Sequence, residues 1–115
     1  MSHDAWMEID TDALLPVEMI DIGNYTRNVS PMWRKAMTYA TGGIPTSIQD
    51  TDGMTGEAAL PVLKDALMHM LRNPAEYEAM NPENGWGDYE GATEFMWKCV
   101  QACAKHPKAV IRWSV

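Results

Sequence analysis

Hydrophobic positions along the chain fall into helical stripes separated by short alternating runs. Trp33, Ala36, Met37 and Ala40 share one helix face, because residues three and four apart stack at about 3.6 residues per turn. Ser30-Pro31 opens this helix: the hydroxyl can cap free amides, and proline is unhindered at the first helical position. Gly42-Gly43 closes it. Val62, Leu63, Ala66, Leu67, Met70 and Leu71 repeat the stripe in a second helix. Pro61 leaves two readings, a separate turn over "GEAAL" with Pro61 opening the main helix, or a kink in a longer one; the first is preferred.

Asn73-Pro74-Ala75-Glu76 repeats the cap pattern, with Asn73 as cap and Glu76 reaching back as in a capping box. A short helix follows to Met80, stopped before Pro82. Asp88 is placed to cap a last helix whose buried stripe is Ala92, Phe95, Met96, Cys99 and Cys103, ending near Lys105. Two runs read as strands: "VEMIDI" at 17–22, and "AVIRWSV" at the C-terminus, where Ile111, Trp113 and Val115 alternate with Arg112 and Ser114.

These elements predict an α+β domain, with three to four helices packed on a short two-stranded antiparallel sheet formed by the N- and C-terminal strands. Residues 1–16 are read as an acidic N-terminal arm and residues 17–115 as the single domain. A chain of 115 residues, 46% hydrophobic and 22% charged, can bury one core without staples.

Charge changes the picture more than composition does. The net charge is −7, and residues 1–23 hold Asp4, Glu8, Asp10, Asp12, Glu18 and Asp21 with no lysine or arginine. A second block carries Glu76, Glu78, Glu83, Asp88, Glu90 and Glu94 before Lys98. Such a surface repels phosphate backbones and suits basic protein surfaces, although acidity also serves plain solubility. No direct nucleic-acid contact and no membrane span are expected, and the N-terminus lacks a signal-peptide pattern, which points to a cytoplasmic setting.

Two segments concentrate candidate binding groups. In "GWGDYEG" the glycines let backbone approach a ligand, Trp86 and Tyr89 offer stacking faces, and Asp88 and Glu90 accept hydrogen bonds. The competing reading is a structural turn in which Asp88 caps a helix and Trp86 fills the core. In "NYTRN", ligand contact by Asn24, Tyr25 and Asn28 competes with a hydrogen-bonded turn. The acidic interaction face is assigned to Asp10, Asp12, Glu76, Glu78, Glu83 and Glu94.

Other chemistry is thin. Cys99, Cys103 and His106 lack a fourth ligand for zinc. "DTDG" fails as a calcium loop, because aligning Gly53 with the invariant glycine puts Ile48 and Ala59 at ligand positions. His69 reads as a solvated surface histidine opposite the leucine stripe, and no nucleophile setting or phosphate-binding glycine loop is present. Met68, Met70, Met80 and Met96 read as core filling, and Met7, Met19 or Met54 as an adaptable surface. No catalytic residue, metal or cofactor is assigned.

At "NYTRNVSPMWR" and "NPENGWGDYEGATEFMW" the chain resembles a family of small, uncharacterised proteins encoded by phages and prophages. Asn24, Tyr25, Thr26, Asn28, Ser30, Met32 and Trp33 match the first motif, and Asn81, Pro82 and Asn84 through Ala92 match the second. The likeness covers most of the chain after residue 17. It brings no activity with it, but implies a host-directed inhibitor. The expected function is therefore a non-enzymatic phage protein whose acidic face occupies a basic, nucleic-acid-binding surface of a host defence protein such as a CRISPR effector. The alternative is a small-ligand or nucleotide binder, or minor enzyme, with a pocket built from the NYTRN and GWGDYEG segments.

Overall fold

The computed structural model describes residues 2–9 and 18–114. Strand β1 (Ser2–Ile9) is followed by β2 (Glu18–Thr26), α1 (Ser30–Ala40), α2 (Gly56–Arg72), α3 (Pro74–Glu78), α4 (Tyr89–Lys105) and β3 (Val110–Ser114). Single 3₁₀ turns cover Arg27–Val29 and Ile48–Thr51.

Among the described residues the sheet has three antiparallel strands in the order β2-β1-β3, not two. Residues 2–9, read above as part of an acidic arm, are its central strand, and the two terminal strands pair with β1 instead of with each other. Asp10, Asp12 and the rest of 10–17 lie outside the described residues. The physical reason is the alternation in "SHDAWMEI": His3, Ala5 and Met7 are buried while Asp4, Trp6 and Glu8 are half-exposed. A two-stranded ribbon would leave both its strands marginal, and a middle strand hydrogen-bonded on both sides resolves that. The register passes from Ala5 opposite Gly23 to Trp6 opposite Asp21, which leaves Ile22 as a bulge residue turned into the core at 9% exposure.

The outer edge of β3 is covered. Ile111 donates its amide to the Met54 carbonyl and Gly53 donates to the Ile111 carbonyl, both at 2.8 Å, and the Trp113 amide bonds to Asp52 Oδ1 at 2.9 Å. The segment before α2 thus satisfies backbone groups that an open edge would expose.

Helix α2 runs unbroken through Pro61, so the preferred separate turn is not formed. Proline at this position forgoes the bond to the Glu57 carbonyl and crowds it, a cost that the buried stripe of the helix offsets. Ala59, Leu63, Ala66 and Met70 are buried on both sides of it and hold the helix in place. Two caps also differ from expectation. Ser30 makes no cap bond, because its hydroxyl is 2.8 Å from His3 Nε2. Asn73 does not cap α3; its amide Nδ2 donates back to the His69 carbonyl at 3.0 Å and closes α2 instead.

Helix α4 runs antiparallel to α2, with Tyr89 beside Met70 and Cys103 beside Gly56, while α2 packs on α1 and α4 on β2. The core centres on Trp33, whose indole donates to the Ala92 carbonyl at 3.1 Å and packs on Phe95 with ring centroids 5.4 Å apart. Trp113, Tyr25 and His3 complete this aromatic cluster. Met7, Met70 and Met96 are fully buried, whereas Met19 is exposed. Met7, read as a surface methionine, faces the core because it alternates with Trp6 and Glu8 on β1.

Candidate functional site

The NYTRN and GWGDYEG segments meet, but as packing surfaces. The Tyr25 ring stacks near Phe95, with centroids 6.4 Å apart, and its hydroxyl accepts the Asp88 amide at 3.2 Å. A side chain on Gly91 would collide with that hydroxyl, and one on Gly87 with the Thr26 methyl. These glycines therefore admit protein, and the space a ligand would take is filled by Tyr25. Asn28 spends its backbone amide and its Nδ2 on Thr26 Oγ1, at 3.4 and 3.1 Å. Asn24 is exposed on β2.

The turn between α3 and α4 is stapled at four points. Trp86 N donates to Asn84 Oδ1 at 2.9 Å, Tyr89 N to Asn81 Oδ1 at 2.8 Å, and Gly91 N to Asp88 Oδ1 at 2.8 Å. The Tyr89 hydroxyl donates to the Met70 carbonyl at 2.8 Å. Asp88 is thus the helix cap that its position predicts. Trp86 does not plug the core: it is 69% exposed, held at the tip of this fixed turn.

Carboxylates surround that tip in part. Glu78, Asp88 and Glu90 line one notch of about 210 Å³ with Asn81 and Tyr89, and Glu83 is exposed on the turn itself. Glu76 is engaged by Lys35 at 3.5 Å. Glu94 lies one turn along α4 from Glu90, where it and Lys64 rim an apolar groove of about 320 Å³ between α2 and α4. On the sheet, Glu8 takes the Trp6 indole at 3.1 Å and Arg112 at 3.2 Å, which holds its carboxyl below the usual range; Arg112 also reaches Asp52 at 3.7 Å. The first acidic block is therefore partly neutralised, while Glu78, Glu83, Asp88 and Glu90 have no ion pair among the described residues.

His69 is not a free surface histidine. Its Nδ1 lies 2.7 Å from the hydroxyl of the fully buried Tyr77, and Tyr39 lies against its ring, tilted by 30° with centroids 3.9 Å apart. No local signal could have found this pair, because Tyr77 arrives only after the chain reverses at Asn73-Pro74. Cys99 and Cys103 are buried free thiols. Burial pushes both thiols up, Cys103 to about 11. Among the described residues no three His, Cys, Asp or Glu side chains gather as a metal site, and no helix is long and apolar enough to cross a membrane.

Among the described residues, fold and surface together define a small α+β domain with four helices, a three-stranded antiparallel sheet and a hydrogen-bonded acidic turn bearing an exposed indole. The chain matches no protein-family model, no curated protein and no solved structure.

Proposed function

We propose that this is a non-enzymatic interaction protein that presses the 81–90 turn onto a basic protein surface. One observation carries the reading: Trp86 stands 69% exposed on a turn fixed by side-chain hydrogen bonds. Leaving a large indole in water costs free energy that burial against a partner recovers, and tryptophan is prominent among residues that dominate interfaces. A rigid turn loses little entropy on docking. The exposed Glu83, Asp88 and Glu90 around it favour a cationic partner and speed encounter. In the setting that the phage resemblance implies, that partner is the nucleic-acid-binding surface of a host defence protein, and blocking is competitive.

The test is retention of host proteins on the immobilised chain across about 0.05 to 0.5 M salt, where screening grows several-fold. The reading expects a basic protein whose retention falls steeply with salt. It expects at least about tenfold loss with Trp86→Ala or Glu83→Lys/Glu90→Lys, in keeping with a central aromatic anchor. Retention that ignores salt and both variants overturns it.

A further inference from the structure

The chain's acidity conceals a groove in which cations outnumber carboxylates. A groove of about 780 Å³ runs between the end of α1 and the C-terminal half of α2, lined by Tyr39, Lys64, Asp65, Met68, His69 and Arg72 among others. Lys64 and Arg72 are exposed, and neither forms an ion pair among the described residues. They stand eight residues apart on α2, so both project on the side that carries Met68. Lys64 and Arg72 set two cations against the single carboxylate of Asp65 on this wall, a net cationic balance in a chain of net charge −7.

The groove is also built. Tyr77 is fully buried, and the one partner its hydroxyl has among the described residues is His69 Nδ1, 2.7 Å away. Burial pushes the phenol up to about 12, so it keeps its proton near neutrality. A buried O–H without an acceptor is costly, so the phenol donates to Nδ1, which leaves Nε2 as the ring's free N–H. His69 is thereby held in place along the groove wall. Tyr39 lies over the imidazole at 3.9 Å between centroids and is 61% exposed, which leaves its other face open. Asp65 adds a lone carboxylate acceptor.

We propose that this groove is a binding site for a nucleoside monophosphate, with the base on the open face of Tyr39, the phosphate between Arg72, Lys64 and the His69 N–H, and Asp65 accepting a base N–H. The combination selects the class. An aromatic platform rewards a planar base, which stacks tolerantly of sequence. Guanidinium and ammonium groups together with an N–H donor suit a phosphate. A carboxylate in the same groove would repel a plain polyanion, and is useful toward a ligand that also carries N–H donors.

Calorimetry on the full chain separates these parts, with AMP, GMP, CMP and UMP as nucleotides and adenosine and inorganic phosphate as fragments. The expected result is that the tightest nucleotide binds at least about tenfold more tightly than either fragment, since both ends contribute. Arg72→Gln should bring it down toward the nucleoside, and Tyr39→Ala toward phosphate, each by about fivefold or more. Both side chains are exposed, so circular dichroism should show the fold intact. Nucleotide binding no tighter than phosphate, or unchanged in both variants, overturns the proposal. Neither outcome bears on the Trp86 turn, which lies on a different surface element.

Discussion

The Tyr25 hydroxyl and Gly91 occupy the same corner of the molecule: the phenol accepts the Asp88 amide at 3.2 Å and stands where a Gly91 side chain would have to be. Strand β2 can seat on the start of α4 only because residue 91 lacks a Cβ.

Gly91→Ala should therefore destabilise the protein. Within a helix this change ordinarily stabilises by about 0.5–1 kcal/mol. Here the collision with Tyr25 opposes it, and overpacking of this kind costs about 1–3 kcal/mol. Denaturant midpoints should show a net loss for Gly91→Ala in the native background, and a much smaller loss, or a gain, when Tyr25 is Ala. Equal losses in both backgrounds would show that the phenol is not the obstacle.

The Trp113 indole donates to Thr51 Oγ1 at 2.8 Å, and both residues are buried. Thr51→Val keeps the shape and removes the acceptor, which leaves the indole N–H unpaired. The expected loss is about 1–3 kcal/mol by chemical denaturation, with Thr51→Ser retaining most of the stability.

His3 sets an acid limit. It is 2% exposed, and burial first, then the Arg27 charge, hold its imidazole below the ordinary 6.5, partly opposed by Asp4. As pH falls the unfolded chain takes up the proton before the folded one does, and stability rises with pH wherever the unfolded state binds more protons. The His3 contribution is thus complete above about 6.5 and is lost as pH drops below it toward the folded-state value. Denaturation midpoints at about pH 7.5 and 5.5 should differ in the native chain and differ less in His3→Gln.

Cys99 and Cys103 should resist alkylation. The thiolate is the reactive form, and burial raises both thiols, Cys103 to about 11. Near neutral pH, labelling by a thiol reagent should follow unfolding and accelerate sharply in denaturant. Rapid labelling of the folded chain at either position would contradict the burial seen here.

The helices were legible because their signals are local. The Trp33-Ala36-Met37-Ala40 stripe, the Gly42-Gly43 stop and the Asp88 cap each act within a few residues, and α1 ends before Gly42 and α4 begins after Asp88 as those features dictate. Strand β3 was legible from five alternating positions. Strand β1 carries the same alternation, but its outward positions Asp4 and Glu8 made it resemble a solvated arm. Ser30 and Asn73 were misread for a related reason: a capping side chain and one recruited by His3 or by the preceding helix have the same local sequence.

At the candidate sites the division is sharper. Composition and patterning determined an acidic chain, three to four helices and a glycine-bearing aromatic turn. Only the tertiary structure decided that Tyr25 fills the space beside Gly91, that Trp86 faces water, and that His69 is held by Tyr77 beside Tyr39. Those outcomes depend on which elements pack together, and contacts such as Tyr25 with Asp88, 63 residues apart, leave no mark on the periodicity of either segment. Helix and turn propensities are written residue by residue, whereas burial is a property of the assembled chain.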